Sequence, residues 1–267
     1  MNIKLTKTSY IDYIQFNRLL QYKELTHAFI LKNHNLGFRN YPDNNTVQLS
    51  KEKIFKQFNV NKEDLFYTNQ KHTDNIVEIK HHEKEALENY VDGIITNQSN
   101  VATLLTFADC MPLLFYDPVK EVFGNIHSGW KGTVQRIGVK TVQKLIKDYD
   151  CNPKDIICCM GPCIQKDHFL VNDDVKIIYE KTFPNEIKKY NIIEETNLSN
   201  EKGKQYRIDN VLLYRVLLQQ IGLQAQNIID SEICTVCNKK IVHSRRAEGP
   251  TYQACGCLMF LKKKSDY

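Results

Sequence analysis

Residues 106–136 constrain this chain most. They read Thr-Phe-Ala-Asp-Cys-Met-Pro, then an apolar segment broken by Asp117-Pro118, then Gly-Asn-Ile-His-Ser-Gly-Trp-Lys-Gly-Thr. Apolar runs at 101–106, 113–116 and 122–126 predict three buried strands, with the Asp-Pro turn between the last two. Cys110 and His127 then fall at strand ends, where functional loops meet a rigid scaffold. Past His127, Gly129 and Gly132 bracket Trp130 and Lys131, and Val134, Ile137, Val142, Leu145 and Ile146 are spaced to bury one face of a helix. A glycine-bearing loop opening a helix, with Lys131 beside it, offers a seat for an anion.

Cysteine and histidine at strand ends suit zinc or copper, but two ligands do not complete a site. A third candidate is His72 in Asn69-Gln70-Lys71-His72, which follows the strand-like Leu65-Phe66-Tyr67. From the residues alone, a His72, Cys110, His127 metal set stands beside a buried thiol with two hydrogen-bonded imidazoles, since free cysteine is commonly a core residue.

The rest of the chain limits the function classes. At 267 residues it can bury a large core, and with no Gly/Ser/Pro-rich linker and no repeat it is expected to be one domain over 1–267. Mean hydropathy is −0.45, and no apolar run approaches a membrane span. Residues 1–10 lack the apolar core of a signal peptide, so a cytoplasmic protein without a membrane partner is expected. The net charge of +5 is scattered apart from the lysine run at 262–264, which argues against nucleic-acid binding. Nine cysteines, an odd number, point to reduced thiols or metal ligands rather than a disulfide framework.

Among secondary features, 27–31 reads as an early strand and 50–58 as a helix capped by Ser50. His81-His82 is adjacent in sequence, so the two side chains do not share a face, and the pair is expected in solvent. Residues 155–160 predict a buried strand with Cys158 and Cys159 facing opposite sides. His168 is expected in a loop before a helix near Asn172, residues 185–203 read as a long polar surface loop, and Asp209 caps a buried helix. Cys234-x2-Cys237 and Cys255-x-Cys257 have spacing close to that of structural zinc, with reduced, packed thiols as the expected state.

The ordered set Asn69-Gln70-Lys71-His72, Asp92-Gly93-Ile94-Ile95-Thr96, Ala108-Asp109-Cys110-Met111-Pro112, His127-Ser128-Gly129-Trp130-Lys131-Gly132, Gly161-Pro162-Cys163-Ile164 and Ser244-Arg245-Arg246 resembles the YfiH/YlmD family. Its members are also called laccase-domain proteins, multicopper polyphenol oxidases, peptidoglycan-editing factors and purine nucleoside phosphorylases. The resemblance implies an α/β fold, a mixed-sheet, sandwich-like core with flanking helices like that of cytotoxic necrotizing factor. It also implies His72, Cys110 and His127 as ligands of Zn2+, with Cu2+ the alternative, and Asp109 as proton handler or as an orienter of a neighbour. Gln70, Lys131, Lys32, Arg245 and Arg246 are the implied substrate-binding residues. Lys32 stands where the family has an arginine, so it would hold an anion as a point charge rather than a fork. The implied activity is phosphorolysis of adenosine, inosine and methylthioadenosine, with deamination of adenosine. Purine nucleosides and phosphate are then the partners of a monomer or homodimer. Copper-dependent phenol oxidation and a peptidoglycan-editing role are the alternatives.

Overall fold

A computed structural model describes residues 2–32, 44–80 and 89–262. His81-His82 and the lysines at 263–264 lie outside the described residues. In chain order the elements are β1 (Ile3–Thr6), β2 (Tyr13–Phe16), β3 (Leu25–Ile30), α1 (Asn44–Phe58), β4 (Leu65–Tyr67), β5 (Ile76–Glu78), β6 (Gly93–Thr96), β7 (Ala102–Phe107), β8 (Met111–Asp117) and β9 (Val122–Ser128). There follow α2 (Trp130–Val134), α3 (Ile137–Tyr149), β10 (Ile157–Met160), β11 (Leu170–Val171), α4 (Asp173–Thr182), α5 (Pro184–Tyr190), β12 (Ile193–Asn200) and β13 (Gly203–Ile208). The chain continues through α6 (Asn210–Gln220), β14 (Ile228–Asp230), α7 (Arg245–Glu248) and β15 (Cys255–Leu261).

Two six-stranded mixed sheets, ordered β1-β2-β3-β15-β7-β4 and β14-β10-β8-β9-β6-β5, pack face to face. Strand alternation builds the layers directly. Cys255, Cys257, Met259 and Leu261 of β15 point between the sheets with Leu105, Phe107, Leu114 and Tyr116, while Leu258 and Phe260 point outward. That outer face is covered by Ile54 of α1. On the far side of the second sheet, Leu113, Phe115, Cys158 and Met160 meet Ile137, Val142 and Leu145 of α3 and Tyr214 and Leu218 of α6. The fold is therefore the mixed-sheet α/β sandwich with flanking helices. No helix among the described residues is long and apolar enough to cross a membrane.

Local expectations fare unevenly. The strands near 101–106, 113–116, 122–126 and 155–160 form, and Asp209 caps α6 by accepting from the Leu212 N–H at 2.9 Å. Ser50 is not a cap. It lies inside α1 with its hydroxyl donating to the Thr46 carbonyl at 3.0 Å, so the periodic residues at 54–58 belong to a longer helix. Residues 185–203 are not a loop either. They form α5 and then β12, which pairs with β13 in a third sheet, ordered β11-β13-β12. The polar residues of β12 obscure this, and cross-strand pairing supplies what propensity withholds, as where Glu194 lies opposite Arg207 and binds it at 2.8 Å.

Candidate metal centre

The site lies at one end of the second sheet. Cys110 sits immediately before β8, and His127 is the penultimate residue of β9, with Pro112 of β8 opposite it in the ladder. His72 comes from the connection between β4 and β5, whose turn leaves it at φ +61°. The ligand atoms of His72, Cys110 and His127 lie within 4.8 Å of one another. Cys110 Sγ is 3.5 Å from His72 Nε2, and the two imidazoles meet edge to face, with centroids 5.0 Å apart.

Asp92, directly before β6, organises the group. Its Oδ1 is 2.8 Å from His127 Nδ1 and accepts the His72 N–H at 3.0 Å. Its Oδ2 accepts the N–H groups of Thr73 at 2.7 Å and Lys71 at 3.1 Å and the Thr73 hydroxyl at 2.7 Å. One fully buried carboxylate thus folds the His72 turn and orients the His127 ring, leaving Nε2 of His127 directed to the site. Burial opposes the Asp92 charge, but the hydrogen bonds from His127 and Thr73 outweigh it and hold the carboxyl at about 2.

Electrostatics favour the ligating form of the thiol. Burial opposes ionisation of Cys110, yet the charge of His127 and the hydrogen bonds from His127 and His72 prevail and lower its pKa. Burial likewise disfavours a charged His127, and the Cys110 sulfur and the Asp92 carboxylate reverse this and raise its pKa. A cation fits this donor set: it would take the place of the imidazolium proton against the thiolate. Gly129 is required beside it, because a Cβ there would stand 2.5 Å from His72 Cδ2 and 3.0 Å from Cys110 Sγ.

A cavity of about 800 Å³ opens over this group. His72, Cys110, Asp109, Lys131, Arg245 and Arg246 line it, together with the rings of Trp130 and Phe169. The anion seat differs from the loop expected from sequence. The chain enters α2 at Trp130, Gly132 lies inside that helix, and α2 ends after five residues before Arg136 turns left-handed at φ +61°. A single turn has little dipole, so attraction for an anion rests on the Lys131 charge, which also lies 5.7 Å from the Trp130 ring centroid.

The remaining expected site residues take different positions. Asp109, at φ +83°, accepts the Thr235 hydroxyl at Oδ1 (2.5 Å) and the Arg246 N–H at Oδ2 (2.7 Å). The Arg246 guanidinium donates to the carbonyls of His168 and Leu170 at 3.0 and 3.1 Å. Gln70 is not among the residues lining the cavity; it donates to the Thr106 carbonyl at 2.7 Å and accepts the Thr106 N–H at 2.8 Å. Lys32 pairs with Glu248 at 2.7 Å and donates to the Lys239 carbonyl. Cys255 and Cys257 are buried between the sheets in β15, apart from any knuckle, while Cys234 and Cys237 group with His168. In the sequence Asp92 stands only as the first residue of one motif in the ordered set, because its partners lie 19 to 35 residues away.

A family model described as multi-copper polyphenol oxidoreductase laccase matches residues 26–261. The chain belongs to this family. Within this laccase-like family it is 30% identical over 258 residues to "Purine nucleoside phosphorylase YlmD" of Bacillus subtilis, covering 90% of this chain and 89% of that protein. It is 28% identical over 167 residues to "Adenosine deaminase RL5" of an unknown prokaryotic organism, covering 62% of this chain and 61% of RL5. The crystal structure of YlmD from Geobacillus stearothermophilus superposes with a TM-score of 0.82 at 22% identity, over 97% of this chain and 99% of that one.

Proposed function

We propose that this chain is a zinc-dependent purine nucleoside phosphorylase acting on adenosine, inosine and methylthioadenosine, and that it also deaminates adenosine. The carrying observation is the cluster of His72, Cys110 and His127, two of which, His72 and Cys110, open onto a cavity also lined by cationic and aromatic residues. The names borne by YlmD and RL5 support the same reading. When bound by these three ligands, the metal supplies Lewis-acid polarisation at an open coordination position, with copper the alternative ion.

The chain's own residues account for binding and positioning. Trp130 and Phe169 line the same cavity and give a purine apolar side chains to pack against. Lys131 and Arg245 place positive charge in the same cavity, where a phosphate can be held facing the ribose C1′. In phosphorolysis a phosphate oxygen bonds to C1′ as the C1′–N9 bond breaks, and the departing purine takes the electron pair and a proton. In deamination water adds at C6 and ammonia leaves. Asp109 has both carboxylate oxygens engaged, which favours its role as a positioning residue for Arg246 and the cavity wall. Gln70, bonded to the Thr106 backbone of β7, and Lys32, paired with Glu248 of α7, act on the site through these neighbouring elements. The protein is read as cytoplasmic.

Metal analysis combined with product analysis tests this reading. Protein supplied with adenosine and phosphate is expected to release adenine only when phosphate is present and to form some inosine. His127→Ala protein, folded by circular dichroism, is expected to lose metal from this centre together with both products. Adenine release without phosphate would mean hydrolysis. Absence of nucleoside turnover, with phenol oxidation under copper, would favour the chemistry in the family's description.

A further inference from the structure

We propose that His168, Cys234 and Cys237 form a second zinc site, distinct from the His72, Cys110, His127 centre, which clamps the outer wall of the cavity. The three ligand atoms lie within 4.8 Å of one another. His168 Nδ1 is 3.6 Å from Cys234 Sγ and 3.6 Å from Cys237 Sγ. Zinc bonds of about 2.3 Å to sulfur and about 2.0 Å to nitrogen, opened to a tetrahedral angle, put nitrogen and sulfur roughly 3.6 Å apart. Hydrogen bonding accounts for the geometry less well, because a neutral imidazole nitrogen has one in-plane lone pair and cannot accept two thiols equally.

The backbone holds these ligands in place without a metal. Cys234 forms a β-bridge with Cys163, through the Cys163 N–H to the Ile233 carbonyl at 3.2 Å and the Thr235 N–H to the Cys163 carbonyl at 3.0 Å. Asn238 closes the following turn by donating its N–H and its side-chain amide to the Cys234 carbonyl at 3.0 and 2.9 Å, which returns Cys237 to the side of Cys234. His168 is set by its N–H to the Gln165 carbonyl at 3.0 Å. Cys237 is the one exposed cysteine of the chain, whereas Cys158, Cys159, Cys255 and Cys257 are packed as apolar groups in strands. Its exposure leaves one side of the site open to a water as fourth ligand.

The position explains what such a site would do. Thr235, between the two thiol ligands, donates to Asp109, and the His168 carbonyl accepts from Arg246. A zinc ion here would cross-link residues 165–168 with 234–238 and so fix the supports of Asp109 and Arg246.

Metal content decides the proposal without reference to any turnover. Protein purified under reducing conditions is expected to carry about two zinc ions per chain, and His127→Ala protein about one. In the His127→Ala background, both Cys237→Ser and His168→Gln are expected to remove the remaining ion. Cobalt loaded into His127→Ala protein is expected to show strong thiolate-to-metal absorption, a readout that needs no change at the second site. One zinc in the wild type with none in His127→Ala protein would overturn the proposal. So would residual metal unchanged by Cys237→Ser, a cobalt spectrum without sulfur charge transfer, or a Cys234–Cys237 disulfide that persists under reductant.

Discussion

Asp92 Oδ1 lies 2.8 Å from His127 Nδ1, and the same carboxylate collects the backbone N–H groups of residues 71–73, so one acid positions two of the three ligands. Asp92→Asn keeps the size but replaces an acceptor with a donor on one side, leaving either His127 or the turn unsatisfied. Metal affinity is expected to fall roughly 10- to 100-fold, the scale for losing such an outer partner. Chelator competition measures it, and unchanged affinity would reduce Asp92 to a turn former.

Gly129→Ala introduces a methyl 2.5 Å from His72 Cδ2. His72 must move, because the methyl is rooted in the backbone between β9 and α2. The expected outcome is weaker metal retention at a stability cost of about 1–3 kcal/mol, the usual scale for overpacking. Full metal content together with a wild-type melting temperature would show that the His72 ring has slack.

For Asp109→Asn, turnover on nucleosides is expected to drop by about 10- to 100-fold, since hydrogen bonds to a charged acceptor contribute about 1.5–3 kcal/mol. Because both oxygens are committed, both limbs of the pH–rate profile are expected to survive. Disappearance of one limb would instead make Asp109 the proton handler.

Lys131→Ala removes cavity charge at the end of a helix too short to replace it. The phosphate KM is expected to rise roughly tenfold while adenosine deamination holds steady, because water carries no charge for a lysine to attract. Equal losses in both reactions would assign Lys131 a structural role.

His27 is buried, and its Nε2 accepts the Phe16 N–H at 2.7 Å, so the folded state holds a neutral ring. Burial lowers its pKa to about 3, against 6.5 for the ordinary group. Between those values the unfolded chain binds the extra proton, so stability is complete above about 6.5 and declines as the pH falls. This residue alone is expected to cost about 1.4 kcal/mol by pH 5.5. Urea titrations of His27→Gln at pH 7.5 and 5.5 should show a flatter response; an unaltered slope would place the acid sensitivity elsewhere.

Local patterns settled much of this protein from sequence. Apolar runs ending in breakers marked the strand that Cys110 precedes and the strand that carries His127, since burial and alternation are written residue by residue. The ordered motifs announced the family, and the family match and the solved fold agree with that reading. Tertiary structure alone decided the rest. Asp92 acquires its role because a turn at 71–73 and a strand ending at Ser128 arrive at one carboxylate, and hydrogen bonds across such separations leave no spacing to read. Cys-x-Cys at 255–257 matched a metal knuckle in spacing, but period-two alternation in a central strand turns both thiols into core. Cys234 and Cys237 instead meet His168, 66 residues upstream of Cys234, because the bridge between Cys163 and Cys234 brings those segments together.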